Sequence, residues 1–305
     1  MIERVNLYDR IAVNKRNSWL VMAGFALFVL LLGWAFGLAS GWGSAGILVA
    51  AVIAVVLAYL AYFKSDSVAV AASGAVPASE RDFKQLHDVV EGLAIAAGIS
   101  KPRVFIIPGG GINAFAAGRD PQHAVVAVTE GALKKLSRSE LEGVLAHELS
   151  HVRNYDVRFM TTVMVMVGVV ALLSDWLLYT FFWGGGRRDR EGGAWVFALS
   201  IVLAVLAPVF ANIVAAAASR KREFLADADG ALLCRNPAGL AGALRKIKGE
   251  SDGGKDAGAG RGEDGYGGVN SAMAPLYFFN PLSARALFAS HPPIEERIKY
   301  LESLG

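Results

Sequence analysis

Leu141–Tyr155 reads LEGVLAHELSHVRNY. On a helix, His147 and His151 stand four residues apart, which stacks their imidazoles on one face within reach of a single tetrahedral cation. Glu148 follows the first of them. A catalytic zinc site takes neutral nitrogen or anionic oxygen ligands and keeps one position for water, so two histidines call for a third ligand from elsewhere. Glu148 is better placed to hold that water and take its proton, and the pattern is HExxH. Such strings also arise by chance on solvated helices. Here Ser137–Glu140 reads SRSE, a capping-box pattern, and Leu141, Val144, Leu145 and Leu149 supply an apolar stripe at helical spacing, which favours a helix packed into a core.

The chain as a whole is unusually apolar. It has 305 residues, 54% of them apolar, with a mean hydropathy of +0.42, and the apolar residues gather in long runs. Ser18–Leu38 and Ala45–Phe63 are each long enough to cross a hydrocarbon core of about 30 Å. A cleaved signal peptide is the alternative for the first, but its apolar region would be shorter and no second run would follow so soon. The turn 39–44 has no lysine or arginine, whereas residues 1–17 carry Arg4, Arg10, Lys15 and Arg16 and Lys64 follows the second run. Positive-inside reasoning therefore puts the N-terminus and the region after Phe63 in the cytoplasm. The single cysteine, Cys234, excludes an internal disulfide and a cysteine-rich zinc site, suits a reducing compartment, and reads as a small buried apolar residue. A net charge of +3, with basic residues dispersed, gives no reason to expect nucleic acid.

The expected organisation is a cytoplasmic segment 1–17, a two-helix anchor 18–63, a first soluble part 64–158, a membrane-embedded hairpin 159–218 and a second soluble part 219–305. The first soluble part opens with an Ala/Ser/Val-rich tether. A helix from about Ser79 to Ala97 follows, closed by Gly98, and Arg103–Ile107, Ala114–Ala117 and Ala124–Val128 read as short strands. Thr161–Trp183 and Ala194–Ala218 form the hairpin, around a polar loop at 184–193 whose Arg187, Arg188 and Arg190 leave its depth open. Asp175, Pro208 and Asn212 within it are unusual facing lipid. An intramembrane carboxylate is a functional candidate by default, and the plainer reading puts Asp175 at a helix end or inside the bundle. His87 and His123 fall outside any ligand spacing and read as surface or satisfied histidines. Gly249–Asn270 reads as a flexible linker that either gates a cleft or joins two sides.

An antiparallel hairpin returns the chain on the side it left, so Glu223, just after the fourth run, comes back near His151, just before the third. In EFLAD, Glu223 and Asp227 are again four apart, so one can bind a cation while the other accepts the N–H of a ligating imidazole. Alone an ExxxD spacing is weak, because such pairs decorate solvated faces. Beside HELSH it is strong.

These pieces together resemble an HtpX-type membrane zinc metalloprotease, a relative of the membrane-embedded prenyl-protein endopeptidases. LYDRIAVNKRNS near the N-terminus, NAFA at Asn113–Ala116, AHELSHVRNYD, SRKREFLAD and SHPPIEERI at Ser290–Ile298 match in order along nearly the whole chain. The resemblance implies an α-helical integral membrane protein with an α+β zincin-like metalloprotease domain, in which a small mixed sheet lies beside the HExxH helix. It implies Zn held by His147, His151 and Glu223, Glu148 as general base, and Asp227 and Asp156 supporting the ligands. Asn113, Ala114, Phe115 and Ala116 would form an exposed edge strand for an extended substrate. His291 would help stabilise the oxyanion, with an ordering role for the last helix or a fourth zinc ligand in a closed state as the other readings. The implied setting is a multi-pass protein of the bacterial inner membrane, embedded in the lipid bilayer and cutting misfolded or damaged membrane proteins on the cytoplasmic side. A prenyl-protein endopeptidase with more spans, a non-catalytic zinc-stabilised scaffold, and a transporter built on Asp175 and Asn212 are the competing readings.

Overall fold

A computed structural model describes residues 7–40, 43–166, 168–169, 220–256, 276–278 and 292–305. Nine helices labelled here run α1 Leu7–Ser40, α2 Ser44–Phe63, α3 Ser65–Ser73, α4 Lys84–Ala97, α5 Glu130–Lys135, α6 Arg138–Arg153, α7 Arg220–Cys234, α8 Pro237–Asp256 and α9 Ile294–Glu302. Residues 156–166 are also helical. Four strands, β1 Val76–Pro77, β2 Arg103–Ile107, β3 Ala114–Gly118 and β4 Ala124–Thr129, form one sheet in the order β1-β2-β4-β3. β2 and β4 are parallel and the other pairs antiparallel, so the sheet is mixed.

Helices α1 and α2 are long and apolar enough to cross a membrane over Asp9–Trp34 and Ser44–Phe63. They pack by small residues: a Cβ on Gly33 would lie 2.1 Å from that of Ala50, and one on Gly46 would lie 2.7 Å from the backbone of Gly37. Apolar side chains gain nothing by leaving lipid for a protein neighbour, so close backbone approach supplies the packing that hydrophobic burial supplies in water.

Alternation along the strands divides the sheet between two cores. Val104, Ile106, Ala114, Ala116, Val126 and Val128 face α4, α6 and α8. Phe105, Ile107, Phe115, Ala117, Val125 and Ala127 join Met22, Phe25, Ala54 and Ala61 of α1 and α2 and Met160 and Met164 beyond α6. Every residue of β3 and β4 is buried, which is why they read as unbroken apolar runs.

The described residues depart from the sequence reading in several places. The segment 1–17, expected to precede the anchor, is from Leu7 continuous with it as the first turns of α1, which is about 51 Å long at 1.5 Å per residue. That exceeds a bilayer core, so its polar end projects and docks, burying Asn14 and Ser18. The expected tether after Lys64 is helix α3, closed by Gly74 in the left-handed region. Helix α4 starts at Lys84, later than Ser79, and Gly98 ends it with φ 66 as expected. The glycine-rich linker begins as the last turns of α8, which runs to Asp256, and 257–270 lie outside the described residues. So do Asp175, the basic loop, Pro208 and Asn212. Cys234 is half-buried rather than buried, its thiol directed at the carbonyl of Gly230 at 3.1 Å.

Candidate metal centre

Helix α6 starts at a capping box: the Ser137 hydroxyl accepts the N–H of Glu140, and the Glu140 carboxylate accepts the N–H of Ser137. Two of the free N–H groups at the helix start are thereby satisfied, which sets where the helix begins and so which face carries His147 and His151. That face packs on α7. The approach is close because Gly230 faces α6, where a Cβ would come within 2.9 Å of the His147 backbone.

This packing brings three side chains together. His147, His151 and Glu223 are all buried, and each offers a ligand atom within 4.8 Å of the other two. The Nε2 atoms of the two histidines are 3.2 Å apart. One carboxylate oxygen of Glu223 lies 3.6 Å from Nε2 of His147 and the other 3.6 Å from Nε2 of His151. Ligands about 2.0–2.1 Å from a tetrahedral zinc stand roughly 3.3–3.4 Å apart, so these separations fit such an ion.

The hydrogen bonds behind the rings fit it too. Nδ1 of His147 lies 2.9 Å from Asp227 Oδ1, and Nδ1 of His151 lies 3.1 Å from Asp156 Oδ2. With a cation bound, each Nδ1 would carry a proton for the carboxylate behind it and leave both Nε2 lone pairs to the ion beside Glu223. Two imidazole acceptors and a carboxylate meeting away from water call for a positive charge among them. Among the described residues, this is the group able to hold a metal ion.

Proton affinities reflect the same geometry. Burial, against the pull of Asp227, holds His147 down at about 4. Burial would lower His151 as well, but the bond to Asp156 and the nearby Glu223 raise it to about 9. Burial pushes the Glu148 carboxyl up to about 8, with Glu223 adding to the effect. A carboxyl poised that high suits proton transfer near neutral pH.

Glu148 also touches the sheet. Its Oε2 accepts the backbone N–H of Ala116 at 2.9 Å. β3 is the last strand of the sheet, so Ala116 and Ala114 turn polar groups away from β4. The carbonyl of Ala114 accepts the N–H of Phe278 at 2.8 Å. The segment expected to be an exposed edge is therefore buried, with Asn113, Ala114, Phe115 and Ala116 all almost fully covered. Leu276–Phe278 accounts for part of that cover: Tyr277 stacks edge-on against Phe115 and Phe278 edge-on against His147. His291 lies outside the described residues. His87 and His123 are away from the cluster, bonded at Nε2 to the Ala78 carbonyl and at Nδ1 to Asp120 respectively.

Arg297 was not anticipated. Buried in α9, it binds both carboxylate oxygens of Asp227 and comes within 3.9 Å of Glu223. It stands in SHPPIEERI with no spacing that marks it, and only the docking of α9 shows that it turns inward.

Residues 80–304 match the model of Peptidase family M48. The chain is 41% identical to a Protease HtpX homolog of Thermoanaerobacter pseudethanolicus, covering 99% of each. It is 42% identical to a Protease HtpX homolog of Dictyoglomus turgidum, over 98% of this chain and 95% of that one. In fold it resembles the crystal structure of S. mikatae Ste24p, with a TM-score of 0.50 and 16% identity, over 96% of this chain and 66% of the length of that one.

Proposed function

The chain belongs to peptidase family M48, and on that premise we propose that it is a membrane-bound, zinc-dependent endopeptidase that hydrolyses misfolded or damaged membrane proteins on the cytoplasmic side. The observation that carries the reading is the meeting of His147, His151 and Glu223 beside the buried carboxyl of Glu148. Zinc bound there would act as a Lewis acid on the scissile carbonyl and lower the pKa of a water molecule.

The protein supplies the rest. Asp227 and Asp156 fix the two rings in the tautomer that leaves Nε2 free to bind. Glu148 takes a proton from the attacking water and delivers it to the leaving amine. The N–H of Ala116 orients that carboxylate from β3, the strand along which an extended peptide would lie. The zincin-like character of the domain and its division into parts on either side of a membrane hairpin belong to this reading, as does its seat in a bacterial inner membrane. Arg10, Lys15 and Arg16 in the first turns of α1, and Lys64 after α2, support a cytoplasmic site.

Glu148→Gln tests the assignment. The variant should bind zinc as the wild type does and lose at least about 100-fold in the rate of cutting an unfolded membrane protein. Cleavage at the wild-type rate would overturn it.

A further inference from the structure

Asn14 belongs to α1, the first membrane helix, yet it is buried against the turn that follows the metal helix. Its Nδ2 donates to the backbone carbonyl of Asn154 at 2.9 Å and to Oδ1 of Asp156 at 2.6 Å. Both partners are acceptors, so the amide has one sensible orientation, because the flipped one would set oxygen against oxygen. The second oxygen of Asp156 accepts from Nδ1 of His151 at 3.1 Å. One buried chain of hydrogen bonds thus runs from α1 through Asp156 into the imidazole whose Nε2 faces Glu223.

The surroundings hold this contact in place. The Ser18 hydroxyl donates to the carbonyl of Asn14. The Lys15 ammonium lies 4.1 Å from the ring centroid of Tyr155, whose backbone is left-handed with φ 59 and turns the chain between Arg153 and Asp156. Arg10, one turn before Asn14, is 3.9 Å from Asp229, which accepts from the Asn154 side chain at 2.9 Å. The match to the M48 model begins at residue 80, so this helix lies outside that model, although the relatives align along it.

We propose that Asn14 is a positioning residue for the metal centre: by holding one oxygen of Asp156 it keeps the other on His151, so that the first membrane helix is part of the site and not only its anchor. A ligating imidazole owes its orientation to the acceptor behind it, and that acceptor owes its own to whatever fixes its rotation. The inference rests on His147, His151 and Glu223 being the zinc ligands.

Full-length protein in detergent, stripped of zinc and titrated against a chromophoric chelator, gives the zinc dissociation constant without reference to proteolysis. Asn14→Ala should weaken zinc binding roughly 10-fold, the lower end of the loss when an outer partner of a ligand is removed. Asn14→Asp keeps the shape but sets an acceptor against Asp156, and should weaken binding further. Adding Asp156→Asn to Asn14→Asp restores a donor facing an acceptor and should recover part of that loss. Lys15→Ala loosens the same helix without touching Asp156 and should bind zinc as the wild type does. A role confined to helix docking would lower the melting temperature of the Asn14 variants and leave the zinc affinity of the folded protein unchanged. That result overturns the proposal, as does a Lys15→Ala loss equal to that of Asn14→Ala. A wild type that binds no zinc overturns the metal reading beneath it.

Discussion

Arg297 grips Asp227 with two parallel bonds, Nε to Oδ2 at 2.9 Å and Nη2 to Oδ1 at 2.7 Å, in a place from which water is excluded. The same Oδ1 lies 2.9 Å from Nδ1 of His147, so one carboxylate serves a guanidinium and an imidazole of the candidate metal centre together. Removing one member of a buried pair leaves the other charge without compensation and costs about 3–5 kcal/mol. Arg297→Met should therefore destabilise the protein by that order. Arg297→Lys should recover little, because an ammonium cannot make the two-armed contact. Thermal melts in detergent check this, and a lysine variant as stable as the wild type would refute it.

Gly230 sets the distance between the metal helix and the helix that carries Glu223. Gly230→Ala places a methyl group against the His147 backbone, and neither helix can yield without shifting His147 or Glu223. Overpacking of this kind costs about 1–3 kcal/mol, and here the cost should register as weaker zinc binding. Gly249→Ala in α8, where a Cβ meets nothing within 4 Å, should leave zinc binding unchanged.

The protein stripped of metal should lose stability as pH rises from 6.5 toward 9. His151 moves from 6.5 to about 9 on folding, so its stabilisation is complete below 6.5 and disappears as pH passes through 9. Glu148 moves from 4.5 to about 8, so the folded state keeps a proton that the unfolded chain gives up, and stability again falls with rising pH. His147 has the opposite sign, but its window, from 6.5 down to about 4, lies below this range. Melting temperatures of chelator-treated protein across the interval test the sign, and a rise would contradict it. Zinc should flatten the profile, since it takes the place of the proton.

Phe278 occupies the Ala114 carbonyl that an extended substrate would need. Phe278→Pro removes the competing N–H, so KM for a peptide substrate should fall. A KM unchanged or raised would argue that substrate does not use this edge.

The sequence carried the ligand set plainly because each half of it is local. Two imidazoles four apart in HELSH share a helix face by spacing alone, whereas Glu223 and Asp227, four apart in EFLAD, stand out only beside that motif. The long apolar runs likewise announce α1 and α2. Three of the four strands, β2, β3 and β4, were legible to within a residue or two because β-branched and apolar residues between glycine or proline turns have few other homes, whereas the two-residue β1 at Val76–Pro77 was not.

Asn14, Arg297 and Phe278 were not legible. Each is an ordinary residue in its own segment, and each gains its role from a partner 70 or more residues away: Asp156, Asp227 and Ala114. Local spacing determined which side chains could bind a cation and which helices could enter a membrane. Only the tertiary structure decided what holds those ligands in register, because the burial of a polar group depends on which distant surface closes over it, and no periodicity along the chain encodes that closure.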